Sequence, residues 1–327
     1  MQKSLFASVA IALLLGGCGG DDASGPAPAP TATPTPVPTP TPTPTPLSNV
    51  PPGCRDVPAE TGTIFDQTVV GAGYSDTVFE SYYGPGPTGA LSRTNDGSYI
   101  FREPVQATYE PVPGYKGDAI FRPADEDAST DRFVRYYYSC DSVPSQNYGG
   151  NRLLSLYRQG PAVQPLALTY STIGSFRFLS STKFGFATVN QYYLGLGSPT
   201  SSSALPTATA TYSGFAIGRG VLRGVNNTDY EFAPTAPSSV EIAGSQVTVN
   251  VTLQVDEFTD LGTYELRGTL DPTTARFTAS SADGEVSGIV SGPTGQEVVA
   301  SFRIDAPNPY PTYPGMVRAI GALAVAR

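Results

Sequence analysis

Cysteine is the most reactive side chain in this 327-residue chain, and it occurs three times, as Cys18, Cys54 and Cys140. A thiol can take a lipid, pair in a disulfide or bind a metal. Histidine is absent altogether. That removes Ser-His-Asp and Cys-His nucleophilic machinery, histidine-based zinc sites and haem held by a proximal imidazole. Chemistry built from carboxylates alone survives, as in the paired acid and nucleophile of a glycosidase, but no such pair separates itself from the general acidic surface. The expectation is a protein that is not an enzyme and needs no cofactor.

Two local clusters could do chemistry of another kind. In DEDASTD, Asp125, Asp127, Ser129 and Asp131 stand at alternate positions, the spacing of the first ligands of a calcium-binding loop. Thr130 occupies the position where that loop needs glycine, and Tyr136 the position of its bidentate glutamate, so a solvated acidic turn without metal is expected. Tyr136, Tyr137 and Tyr138 lead into Cys140, and Tyr82-Tyr83 and Tyr192-Tyr193 form two further pairs. Tyrosine offers rigid area with a polar tip and can hold haem or ferric iron. No partner motif accompanies these clusters, and packing against neighbouring strands is the expected role. The net charge of −9 carries no basic patch, which argues against nucleic acid as a partner.

The elements that position these residues begin with an export signal. Met1-Gln2-Lys3 precedes an apolar run from Leu5 to Leu15, shorter than the roughly 20 residues a spanning helix needs. Residues 1–17 are therefore expected to be a signal peptide. The run ends Leu15-Gly16-Gly17-Cys18, which resembles a lipobox and implies a lipidated Cys18, hence attachment to a membrane without spanning it. Gly19 follows in place of an aspartate, so the outer membrane is the expected destination. With Cys18 committed to lipid, Cys54 and Cys140 remain as an even pair in an oxidising compartment, and a disulfide is the simplest expectation. It would close a loop of about 85 residues, a constraint of about 4 kcal/mol in the chain-entropy model. A two-cysteine metal site is the alternative.

Residues 18–50 are expected to be a disordered linker. From 25 to 47 they are nearly all Pro, Thr and Ala, without apolar periodicity. At roughly 3.1 Å per residue this extended stalk could reach ~70 Å. A passive spacer is the expected role, with a proline-motif ligand as the alternative.

The rest of the chain is rich in Gly, Thr, Ser, Tyr and Val, a composition that favours strands and turns. In SQVTVNVTLQVDEF, Val247, Val249, Val251, Leu253 and Val255 alternate with polar residues, which predicts a half-buried strand. GTYELRGTLD, ARFTASSA, EVSGIVSG, EVVASFRI and MVRAIGALAVAR follow, each bounded by turn residues. Short connections make antiparallel neighbours, and the fold class is all-β. Periodicity alone leaves a sandwich and a closed barrel both open.

A resemblance points to the barrel. ATATYSGFAIG carries an A-x-Y-x-G pattern at Ala210, Tyr212 and Gly214, and GPTGQEVVASF keeps Gly292, Pro293, Glu297 and Phe302 of a late glycine-proline signature. LTYSTIGSFRF at 168–178 and the ending GALAVAR fit the same pattern. In these residues the chain resembles the transferrin-binding-protein-B-like β-barrel surface lipoproteins. Thr294 stands where that signature has asparagine, and Val299 and Ala300 where it has paired glycines. There is one barrel in place of the two lobes of a full transferrin binder. The resemblance implies an antiparallel eight-stranded up-and-down barrel over residues 199–327 and a smaller β handle domain over 51–198. It also implies a non-catalytic surface protein that binds a protein or iron-related ligand. In such a family the partners include a TonB-dependent receptor and a surface-lipoprotein translocator. The matched residues are structural and carry no ligand contact over. A structural or adhesive envelope lipoprotein without specific cargo is the alternative.

Overall fold

The alternation at 246–254 sets the pattern for the C-terminal half. Val247, Val249, Val251 and Leu253 are all buried, while Thr248, Asn250 and Thr252 between them stay partly exposed. A strand with one apolar face must lay that face against others like it, and here the solution is closure. The structure is a computed structural model and describes residues 55, 63–64, 66–75, 78–86, 91–102, 119–140, 149–181, 187–223, 228–232, 237–255, 260–307 and 315–327. The expected signal peptide, Cys18, the Pro/Thr stretch and Cys54 lie outside the described residues, as do the side chains of Tyr82, Tyr83 and Cys140.

The barrel consists of β11 (Ala210–Arg223), β13 (Ser238–Ala243), β14 (Gln246–Gln254), β15 (Asp260–Asp271), β16 (Arg276–Ser281), β17 (Gly284–Ser291), β18 (Glu297–Pro307) and β19 (Met316–Ala326). Each strand from β13 onward pairs antiparallel with the next. The long β11 closes the circle, with residues 210–214 on β13 and 213–223 on β19. A ninth strand, β12 (Thr228–Phe232), pairs with the far half of β11. The chain is thus an all-β protein with a closed eight-stranded antiparallel barrel, and closure leaves no open edge among those eight strands.

Upstream strands form two further sheets. One runs β3-β2-β10-β9-β8-β7, from β2 (Asp66–Ser75), β3 (Val78–Gly86), β7 (Phe133–Cys140), β8 (Gly149–Tyr157), β9 (Ser171–Ser181) and β10 (Ala187–Gly197). The other runs β1-β4-β5-β6, from β1 (Thr63–Ile64), β4 (Leu91–Arg93), β5 (Tyr99–Phe101) and β6 (Ala119–Phe121).

Three cores follow from this layering. The barrel lumen is filled by its own side chains, among them Tyr212, Leu266, Phe277, Phe302 and Leu323. The six-stranded sheet carries apolar residues on both faces. Val70, Tyr157, Ile173 and Tyr193 pack on the outside of the barrel against Phe215, Ile289, Val299 and Ile320. From its other face Leu154, Phe176, Phe178 and Tyr192 meet Leu91, Phe101 and Phe121 of the small sheet. There the Phe101 and Phe176 rings stack with centroids 3.9 Å apart, a contact that contributes about 0.5–1.5 kcal/mol beyond its buried area. Strands β17 to β19 have the lumen on one side and the sheet on the other. Their burial is therefore nearly continuous.

Candidate functional site

Apart from Phe302, the residues that carried the resemblance gather at one end of the barrel. The GPTGQ turn joins β17 to β18, with Gly292 at φ +92° and Gly295 at φ +62°, conformations that a residue with a Cβ adopts only under strain. Pro293 is exposed at the turn's tip. Thr200 donates its hydroxyl to the Gly292 carbonyl at 2.7 Å, and the Gly292 N–H donates to Ser198 at 3.0 Å. Tyr212, fully buried, donates its hydroxyl to the Gly295 carbonyl at 2.7 Å. The Arg327 guanidinium lies over its ring at 5.5 Å. Burial pushes the Tyr212 phenol up, and Arg327 opposes that in part. Gly214 sits where β11 crosses β19 so closely that a Cβ would lie 2.1 Å from the Ala324 carbonyl oxygen. Phe302 belongs to the lumen core.

Glu297 links the two halves of the protein. It opens β18, is 3% exposed, and accepts hydrogen bonds from Thr169 N at 2.7 Å, Tyr170 N at 2.9 Å and Ser171 Oγ at 2.8 Å. Those three donors lead into β9 of the six-stranded sheet. The carboxylate therefore ties the sheet to the barrel through charge-assisted bonds.

The acidic run at 125–131 does not converge on a common centre. Asp125 faces Arg55, which holds it with both terminal nitrogens, Nη2 to Oδ1 at 2.7 Å and Nη1 to Oδ2. Ser129 Oγ accepts from the Arg135 N–H at 3.0 Å. Asp125 is thus an ion-paired, partly buried residue, where the sequence suggested a solvated turn. Among the described residues no group of three or more Cys, Asp or Glu could hold a metal ion. The tyrosine run splits by strand alternation. Tyr138 is buried against Phe121, with Arg55 at 4.5 Å over its ring, and Tyr136 is half-buried beside Tyr99 and Phe121. Tyr137 faces the other way and is 39% exposed. Tyr192 and Tyr193 are both buried, on opposite faces of β10.

With the lumen filled, the concavity of interest lies outside it. A hollow of about 210 Å³ opens between the six-stranded sheet and β11–β12. Its sheet wall carries Phe133 and Arg135 from β7, Leu153 and Ser155 from β8, Ser175 and Arg177 from β9, and Gln191 and Tyr193 from β10. Its barrel wall carries Ile217, Glu231 and Phe232. Register explains the convergence, because Arg177 stands opposite both Leu153 and Gln191, and Ser155 opposite both Arg135 and Ser175. Among the described residues neither the Arg135 nor the Arg177 guanidinium has an acidic partner. The Nε of Arg177 is buried without any hydrogen-bond acceptor. Burying a charged donor unpaired costs at least about 1–3 kcal/mol. Sequence reasoning passed over this site. Its trace is an arginine inside an apolar strand, as in Phe176-Arg177-Phe178 and Val134-Arg135-Tyr136.

No protein-family model and no curated protein matches the chain. Solved structures do. Two variants of the vaccine antigen transferrin binding protein B from Haemophilus parasuis Hp5 align at 13% identity with TM-scores of 0.41 and 0.39, over 80% of this chain and 45% and 46% of theirs. The isotype 1 transferrin binding protein B of serogroup B Neisseria meningitidis aligns at 9% identity and a TM-score of 0.31, over 82% of this chain and 79% of its own. The chain spans less than half the length of the Haemophilus structures.

Proposed function

We propose that this chain is a non-catalytic binding protein, anchored by a lipid on Cys18 to the outer membrane and displayed at the cell surface on its Pro/Thr stalk. Its work is to bind a protein or iron-related ligand and present it, with a TonB-dependent receptor and a surface-lipoprotein translocator as its partners in uptake and export. The observation that carries this reading is the filled barrel. Tyr212, Phe277 and Phe302 occupy the lumen, so ligand contact falls to the outer faces and their loops. The export signal, the lipobox-like Leu15-Gly16-Gly17-Cys18 and the stalk support the location.

The test is protease shaving of intact cells that express the chain, followed by capture of extracellular proteins on the purified protein. Loss of the protein from cells whose periplasmic marker survives is the expected result, together with a saturable partner. Full protection from protease would overturn surface capture and favour a periplasmic structural lipoprotein.

A further inference from the structure

The hollow between the six-stranded sheet and the barrel is lined by two arginines that have no acidic partner among the described residues, in a chain of net charge −9. With so many carboxylates available, the fold pairs Arg55, Arg158, Arg267, Arg276, Arg303 and Arg318 with acidic side chains. Among the described residues Arg135 and Arg177 have no acidic partner, and the two share one hollow. We propose that this hollow docks a carboxylate carried by an acidic segment of a partner polypeptide. The proposal rests on the surface-binder reading and names the chemistry of the contact.

Donor chemistry argues for a carboxylate. Arg135 and Arg177 lie two strands apart, about 10 Å across the sheet, within reach of one another's guanidinium groups through a shared ligand. A planar guanidinium fork matches a planar carboxylate in two parallel bonds. Gln191, buried beside Arg177 on the next strand, adds an amide donor, and Ser175 a hydroxyl. The volume, about 210 Å³, exceeds the ~30 Å³ share of one water several-fold. It admits a Glu or Asp side chain whose methylene stem lies against Ile217. Arg135 and Glu231 among its lining residues are exposed, so a side chain can enter between them. Glu231 stands on the opposite wall, exposed and paired with neither arginine, and it disfavours a second carboxylate on that side.

The full chain, purified in detergent, is titrated calorimetrically with N-acetyl-Gly-Glu-Glu-Gly-amide, with the same peptide carrying glutamines, and with inorganic phosphate. The acidic peptide is expected to bind, with the glutamine peptide and phosphate at least about tenfold weaker. Arg177→Gln and Arg135→Gln are each expected to weaken the acidic peptide about tenfold. Arg267→Gln, on the barrel's outer face, is expected to leave it unchanged, and Glu231→Gln to strengthen it about twofold. Arg177→Gln is also expected to hold or raise the melting temperature, because the buried Nε has no acceptor and no ion pair among the described residues is lost. Equal binding of the glutamine peptide, or no effect of Arg177→Gln on affinity, overturns the proposal. Phosphate binding as tightly as the peptide overturns it in favour of a small-anion site. Should Arg177→Gln fold poorly, the exposed Arg135→Gln carries the same decision. A failed titration with successful shaving refutes the docking site alone, and the reverse refutes surface display alone.

Discussion

Replacing Glu297 by glutamine is expected to loosen the joint between the six-stranded sheet and the barrel. In the native protein the carboxylate accepts three bonds, from Thr169 N at 2.7 Å, Tyr170 N at 2.9 Å and Ser171 Oγ at 2.8 Å. Hydrogen bonds to a charged group are worth about 1.5–3 kcal/mol each, against about 1 for a neutral pair. Glutamine keeps one oxygen and turns an NH₂ group toward a backbone N–H, so one amide loses its acceptor and the others lose the charge. Thr169 is exposed and water can replace its partner, whereas Ser171 is 1% exposed and cannot be reached. The net loss is then about 3 kcal/mol, less than the sum of three bonds. At about 2–4 °C per kcal/mol for a chain of this size, the melting temperature falls by about 6–12 °C. Thermal unfolding followed by circular dichroism measures the shift, and hydrogen exchange at Thr169 and Tyr170 locates it. The control is Glu265→Gln, whose carboxylate sits on the exposed face of β15 paired with Arg267. A shift below about 1 °C, with both amides still protected, would refute the role given to Glu297.

Two further outcomes follow from the region around Arg55. Burial raises the Asp125 carboxyl, but the Arg55 hydrogen bond, the Arg122 N–H at 2.6 Å and the Arg55 charge outweigh it, so the group ends below its ordinary range. The stabilisation is complete above the unfolded value of about 3.9 and is lost as the pH falls through the lower folded value. Asp125→Asn should cost about 1 kcal/mol at neutral pH. Urea unfolding from pH 7 downward should show that deficit closing in acid, and a deficit of constant size would contradict the ion pair. Arg55 also lies over Tyr138 at 4.5 Å, and its sequence neighbour is Cys54 while Tyr138 is two residues from Cys140. Mass spectrometry of the non-reduced protein should recover Cys54 and Cys140 in one cross-linked pair of peptides. Two free thiols would exclude the bond.

How much of this was legible depends on what covers each strand. β14 could be read directly, because one face meets the lumen and the other meets solvent, and that alternation survives in the letters. β17 to β19 are covered on both faces, so GIVS, VVASF and GALAVA announce strands and hide which side faces what. Closure of β11 on β19 joins residues about a hundred positions apart. No local pattern encodes it, and only the resemblance at Tyr212, Gly214 and Gly292 supplied it. TGTIFDQTVV and GSYIFR are strand-like in sequence, but they do not announce a separate small sheet, because β1, β4, β5 and β6 are two or three residues long, too short for any period to show how they pair. Glu297 was visible as a motif residue but not as a link, since its donors lie 126 to 128 positions away. The arginines of the hollow were hidden for a related reason. Alternation in Phe176-Arg177-Phe178 says that Arg177 faces away from the phenylalanines, and it cannot say that a barrel stands opposite.

The link and the hollow belong to one mechanical problem. One wall of the hollow is the face of β7 to β10, the other is β11 and β12, so its width is set by how the sheet sits on the barrel. Apolar packing of Tyr193 and Ile173 against Phe215 and Ile320 fixes the distance between the layers but resists sliding weakly, because apolar contact is non-directional. Directional bonds supply what packing lacks. The three bonds to Glu297 and the bond from Arg276 Nη1 to the Gln67 carbonyl at 3.0 Å both cross from barrel to sheet, at the β18 and β16 ends. A surface that must hold two arginines ready for a ligand gains affinity when their spacing is set before binding, since ordering them afterwards would cost side-chain entropy of about 0.5–1.5 kcal/mol each. Disturbing Glu297 should therefore reach the hollow without touching it. The geometry makes the barrel a footing against which the sheet presents its charges.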